Sequence, residues 1–163
     1  MIHEQFFPEI HLTLREITEK DTDVLVDWRS DPTIIQYFYN PKPVTCEAHL
    51  HWFYEVYLKD KCRYDFLVLD GLTPVGFAAL THIDFNRKSC EISYTIGNIQ
   101  YRGRGLGKKI IELVVALGCD RFGITEFIAE VHKENLPSQK AALSAGFYLK
   151  YKKETFWTYE RKL

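Results

Sequence analysis

The sequence predicts an α+β fold, a mixed central sheet of about seven strands with helices on both faces. Segments such as His11 to Ile17 alternate apolar and polar residues with period two, the mark of half-buried strands. From Gly105 the spacing changes, and Leu106, Ile110, Leu113, Val114 and Leu117 recur as on one face of a helix. The order along the chain is strand, two or three helices, three strands, helix, strand, helix, two strands.

His11 to Ile17 is the first strand. Thr18 then supplies a helix N-cap with Asp21 at the third position, before a helix that turns Val24, Leu25 and Trp28 inward. Asp31 and Pro32 interrupt it, a short helix over 33–38 follows, and Asn40 to Pro43 breaks the chain again. Thr45 opens a longer, aromatic-rich helix to about Leu58. Tyr64 to Leu69 is a strand, and Asp70-Gly71 marks a hairpin turn into Val75 to Ile83. Asn86 to Lys88 turns into a fourth strand, Cys90 to Ile96. The helix from Gly105 stops near Gly123, Glu126 to His132 is a fifth strand, and Pro137 to Ala145 is a helix closed by Gly146. Two strands from Phe147 complete the chain.

The 163 residues, 46% hydrophobic and 26% charged, suit a single domain over 1–163 with an ordinary globular composition. No run approaches the ~20 apolar residues that span a bilayer, and the first residues lack a signal-peptide pattern, so a cytoplasmic protein without membrane partner is expected. A net charge of −1 gives no reason to expect nucleic acid as a partner. Cys46, Cys62, Cys90 and Cys119 are scattered without a Cys-x-x-Cys pair, as reduced structural thiols are, and no metal site is expected.

The turn from Arg102 to Gly107 carries the chemistry. A pyrophosphate needs several backbone N–H groups converging on it, and a helix N-terminus offers free donors and a favourable dipole. Gly103, Gly105 and Gly107 allow close backbone approach, while Arg102, Arg104 and Lys108 add countercharge. A Walker-type loop would need glycine at Arg102 and Ser or Thr at Lys109; a dinucleotide fingerprint would need Gly-x-Gly-x-x-Gly. Neither fits. Taken alone, the turn is also compatible with a plain helix start or an arginine-glycine RNA contact.

The Arg102-x-x-Gly105-x-Gly107 spacing resembles the Q/R-x-x-G-x-G/A signature of the GNAT superfamily of N-acetyltransferases. A second block agrees: Asn135-x-x-Ser138, then a helix, then Gly146-Phe147 is similar to that superfamily's Asn-x-x-Ser/Ala…Gly-Phe segment. The resemblance implies a mostly antiparallel sheet splayed between strands four and five, with acetyl-CoA as acetyl donor in the wedge. It places the pyrophosphate on 102–108, including Leu106, the pantetheine beside Ile96 and Gly97, and its arm against Asn135 and Ser138. Read by themselves, Asn135 is an N-cap and Gly146 a C-cap.

Such a reaction needs a base that frees the amine's lone pair and an acid for the departing thiolate. Glu130 stands five residues before Asn135, which matches the general-base position of the ribosomal-protein N-terminal acetyltransferases of this superfamily. Glu91, on the fourth strand, is where other members carry a base. His132 is a weaker candidate. Many relatives place a tyrosine acid where this chain has Ala142, so Tyr148 or Tyr101 is left to serve, or solvent.

The superfamily builds its acceptor pocket from the first helices, here Trp28, Arg29, Tyr39, His51 and Trp52. Their aromatic density suits a wall that stacks a ring. The segment is similar to a branch that acetylates nucleotide-linked amino sugars, as in pseudaminic acid synthesis, and shares its Trp-Arg lead with the ribosomal-protein branch. The expected acceptor is therefore a small-molecule amine or amino sugar, with polyamines, aminoglycosides, protein N-termini and a non-catalytic acyl-CoA sensor as alternatives. A homodimer is allowed for.

Overall fold

A computed structural model describes residues 9–163; the N-terminal segment read for an export signal lies outside the described residues. Strand β1 (Leu12–Glu16) leads into helices α1 (Thr22–Trp28), α2 (Pro32–Ile35) and α3 (Cys46–Glu55). Strands β2 (Tyr64–Asp70), β3 (Thr73–Asp84) and β4 (Ser89–Ile96) follow. Then come α4 (Leu106–Phe122), β5 (Glu126–His132), α5 (Leu136–Ser144), β6 (Tyr148–Lys152) and β7 (Phe156–Lys162). The sheet order is β1-β2-β3-β4-β5-β7-β6. Every neighbouring pair is antiparallel except β4 with β5, which α4 joins by a crossover.

Local chemistry sets the boundaries. The Thr18 hydroxyl and Asp21 carboxylate form a capping box on a 3-10 turn (Glu19–Asp21) that feeds α1. Arg15 holds the buried Asp21 in a two-point bond at 2.9 Å and 2.9 Å. The second helix is shorter than the sequence predicts: Pro32 at its start and an Asp31 cap support only Pro32–Ile35. The third likewise ends at Glu55, with a separate 3-10 turn over Tyr57–Lys59. Gly123, at φ 69°, closes α4 in the left-handed conformation.

The sheet separates two cores. Facing α4 and α5, Val68, Leu80, Ile110, Val114 and Phe127 are at most 1% exposed. Burying each large aliphatic side chain contributes about 1.5–3 kcal/mol. On the other face Ile17, Leu25, Phe53, Tyr57 and Leu67 pack beneath α1 and α3.

The two central strands position the site. β4 meets β5 only at Ser89–Glu126, Cys90–Phe127 and Glu91–Ile128. Beyond that point β4 stays paired to β3 as far as Ile96, and β5 to β7 as far as His132. Each strand is held by its outer neighbour, so the inner edges part into a wedge. Along it Cys90 and Ile92 face the α4 core, so Glu91, Ser93 and Thr95 face the opposite side by strand alternation. No helix among the described residues is long and apolar enough to cross a membrane.

Candidate functional site

The wedge opens into one continuous cleft of about 1010 Å³, running from the α4 N-terminus past β4 and β5 to α1 and α3. Its size suits a nucleotide-bearing ligand together with a smaller partner.

At one end lies the loop before α4. Gly103 and Gly105 both sit at φ 70°, the left-handed region, and a Cβ on either would meet nothing within 4 Å. Gly105 is the N-cap and brings no side chain to the first N–H groups of α4, which are left for a ligand. An open, left-handed turn at a helix start has the geometry that an anion cradle requires. Gly107 has a different reason: a Cβ there would stand 2.6 Å from the Tyr94 hydroxyl and 3.0 Å from Ala141 Cβ, so it permits packing of α4 against β4 and α5. Leu106 is buried core at 2% exposure.

The loop cations divide their work. Arg102 donates to the carbonyls of Ile96 and Gly97 at 3.2 Å each, and its fork lies 3.9 Å from Asp31. It thereby ties the end of β4 to α2. Arg104 lies over the Tyr101 ring at 5.5 Å, and Lys108 lies 3.9 Å from Glu112. Gly97 donates its N–H to Val75 at 3.0 Å, so both its polar backbone groups are engaged. A Cβ on Gly97 would stand inside the Trp28 ring.

Across the wedge Asn135 caps α5, accepting from the Ser138 N–H at 3.4 Å, and the Ser138 hydroxyl donates to Tyr94 Oη at 3.3 Å. Burial pushes the Tyr94 phenol up, so it stays protonated. Tyr94, Ser138 and Ala142 all line the cleft. The other tyrosines considered for the acid lie elsewhere: Tyr148 donates to Glu160 at 2.9 Å and Tyr101 to Asp70 at 2.8 Å, and neither lines the cleft.

At the apex of the wedge Glu91 and Glu130 stand on the same face of the sheet, close enough for their charges to be felt by one another. Glu130 accepts from Thr158 Oγ1 at 2.9 Å and from Lys153 Nζ at 3.2 Å. Glu91 is raised above the ordinary glutamate value, first by burial; His82 opposes the rise and Glu130 adds to it. His82 Nδ1 lies 3.1 Å from Glu91 Oε2, and the imidazole is 82% exposed. His82 sits in a bulge of the β3–β4 ladder at φ 51°, which turns its ring back over Glu91. Tyr39, stacked on Phe156 at 4.0 Å, has its phenol pushed up to about 12 by burial and by Glu130 and Glu91.

The far end is aromatic. Phe77 receives the edge of Phe38 at 6.4 Å, and Arg29 lies over Trp52 at 5.6 Å and Phe77 at 5.8 Å. Of the predicted acceptor residues, Arg29 and Trp52 share this wall, and Tyr39 lines the cleft nearer the apex. Trp28 does not; it packs behind Phe77 at 6.2 Å and under Gly97. His51 is exposed and off the wall, because two residues along a helix point to different sides.

Sequence reasoning missed His82, Tyr94 and the buried His49. The pairing of Thr81 with Glu91 in the β3–β4 hairpin placed His82 nearby, but no local signal announced the bulge.

Comparison with known proteins gives the family and the fold. The acetyltransferase (GNAT) domain family matches residues 11–148. An uncharacterised protein of Methanocaldococcus jannaschii is 28% identical over 158 residues; the match covers 93% of this chain but 31% of that longer protein. An uncharacterised N-acetyltransferase, p20, of Bacillus licheniformis is 26% identical over 141 residues, 83% of this chain and 78% of the relative. Among solved structures, a spermidine N-acetyltransferase of Vibrio cholerae with CoA and spermine superposes with a TM-score of 0.82 at 17% identity. That match covers 93% of this chain and 94% of the other.

Proposed function

The chain belongs to the acetyltransferase (GNAT) domain family, and on that premise we propose that it is an acetyl-CoA-dependent N-acetyltransferase that acetylates the primary amine of an amino sugar, nucleotide-linked, by direct attack in a ternary complex. The single observation that carries the site assignment is the Glu91–His82 pair at the apex of the wedge, on the same sheet face as Glu130. The residues 1–163 form the catalytic domain in this reading.

Acetyl-CoA supplies an activated acyl carbon. The chain's residues do the rest. Left-handed Gly103 and Gly105 and the uncapped N–H groups of α4 hold the pyrophosphate. Glu91, a stronger base because it is buried, takes the amine proton directly or through water. His82 is in contact with Glu91 on one side and with solvent on the other, so it passes that proton outward. Glu130, held by Thr158 and Lys153, fixes the orientation of the incoming amine. Tyr94 Oη holds the proton for the departing sulfur, taking the part Ala142 cannot. Trp52, Phe77 and Tyr39 offer flat faces to the acceptor's rings.

The test is thiol release from acetyl-CoA with a panel of amines: amino sugars and their nucleotide-linked forms, spermidine, an aminoglycoside and a short peptide. Nucleotide-linked amino sugars are expected to give the highest kcat/KM. Preferred turnover of spermidine or peptide would replace the acceptor assignment, and CoA binding without turnover of any amine would replace catalysis by sensing.

A further inference from the structure

The acceptor end of the cleft has a charge pattern of its own. Arg63 gives both sides of its fork to Asp65, at 2.7 Å and 3.0 Å. It lies over the Trp52 ring at 5.0 Å, as Arg29 does at 5.6 Å. Two guanidiniums thus meet one indole, and Asp65 is already taken. Arg29 feels Asp65 through space only, while burial and the Arg63 charge both disfavour its own. Lys42 also lines the cleft. A half-buried cation without a partner of opposite charge is costly in an isolated protein and is best explained by an anion that arrives with a ligand.

His49 is a second, independent sign. It is 1% exposed, tilted against Trp52 at 5.5 Å, and neither ring nitrogen has a hydrogen-bond partner among the described residues. A buried imidazole normally satisfies both nitrogens. Here both the main cleft and a small cavity of about 10 Å³ beside it are lined by His49 and Arg29. Burial and the Arg29 charge keep the ring neutral, so it retains one N–H to donate.

We propose that Arg29 and His49, beside the Trp52 ring that both arginines overlie, form a subsite for a phosphate or diphosphate group of the acceptor, remote from the amine being acetylated. The proposal rests on the acetyltransferase reading above and narrows its acceptor to an anionic amine. Spacing along the sheet supports it. Arg29 covers Phe77, which pairs with Thr95, and Glu91 lies four residues along β4 from Thr95. At ~3.3 Å per residue that places the base about 13 Å along the strand from the anion subsite. A diphosphate-linked amino sugar spans such a distance, and a single phosphate on the sugar ring spans less. Polycations meet the wrong sign at this end: a unit charge 4 Å from an uncompensated guanidinium is opposed by about 4 kcal/mol at intermediate dielectric.

The test uses the whole chain saturated with CoA, so that the α4 loop is occupied, and titrates uridine diphosphate by calorimetry. Wild type is expected to bind. Arg29→Met is expected to bind at least tenfold more weakly, with Arg29→Lys intermediate, because a point charge lacks the planar fork. In turnover, KM for uridine-diphosphate-glucosamine is expected to rise in Arg29→Met by a similar factor, with kcat changed less than threefold. A CoA-induced rise in melting temperature equal to wild type shows that each variant is folded. If glucosamine 1-phosphate shows the same Arg29 dependence as the diphosphate form, a single phosphate suffices and the diphosphate arm is overturned. Equal kcat/KM for glucosamine and both phosphorylated forms, or uridine diphosphate affinity unchanged in Arg29→Met and His49→Leu, overturns the subsite while leaving acetyl transfer intact. Absence of turnover with every amine despite CoA binding would instead refute the catalytic reading.

Discussion

Gly105→Asp separates what the α4 loop does for the fold from what it does for the ligand. Gly105 stands at φ 70° with open space where a Cβ would go, so no clash arises. The folded protein loses only the left-handed strain, ~1–2 kcal/mol for an L-residue, and aspartate tolerates that region better than most. A carboxylate at a helix N-terminus returns about 0.3–1 kcal/mol. The net cost is about 1 kcal/mol, or ~2–4 °C in Tm for a chain of this length. The effect on CoA is larger. A carboxylate ~5 Å from one pyrophosphate charge is repelled by about 3 kcal/mol at intermediate dielectric, roughly two orders of magnitude in Kd. At acetyl-CoA one-hundred-fold above the wild-type Kd, linkage stabilises the wild type by about 2.7 kcal/mol and the variant by only ~0.4 kcal/mol. Thermal melts with and without acetyl-CoA measure both quantities. The reasoning is refuted if the variant melts normally and keeps the full ligand-induced shift, since the anion would then lie elsewhere.

Glu91→Gln is expected to lower kcat/KM by about 10²-fold or more while leaving CoA affinity intact. In wild type, with a single amine followed throughout, the rate should fall as pH drops through a pKa above the ordinary glutamate value of ~4.3, because Glu91 is raised; the variant should lack that limb. Tyr94→Phe keeps the ring against Gly107 but removes the hydroxyl bonded to Ser138. It should cost ~1 kcal/mol of stability and at least tenfold in kcat, and a rate within twofold of wild type would remove Tyr94 from the proton path. Asp21→Asn should destabilise the fold by about 2 kcal/mol in urea melts at pH 7, by breaking the Arg15 pair and the capping box. Although burial raises the Asp21 carboxyl, Arg15 and Thr18 outweigh it and hold its pKa down. The stabilisation is therefore complete above the unfolded value of ~3.9 and is lost as pH falls through the folded value, so the gap between wild type and variant should narrow in acid.

The sequence alone determined the elements whose signals are local. Alternation marked the strands, Thr18, Thr45 and Asn135 marked helix starts, and Gly123 and Gly146 marked helix ends with φ of 69° and 87°. The Arg102–Gly107 spacing located the left-handed turn that opens α4, because φ and helix polarity are properties of a few consecutive residues. It could not say that Gly107 also permits close packing against Tyr94 and Ala141, or that Arg102 ties β4 to α2, since those partners lie far from these residues along the chain. Trp28 and His51 read as acceptor residues for the same reason: composition shows that an aromatic is present, and only packing decides which wall it faces. Glu91 and Glu130 were legible as carboxylates on adjoining strands. The contact of Glu91 with His82 depends on a bulge, and the Arg29–His49 pair on two helices folding over β3, so the proposed proton path and the proposed anion subsite rest on tertiary structure alone. Chemistry that is local in sequence was readable there; chemistry made by convergence of distant segments was not.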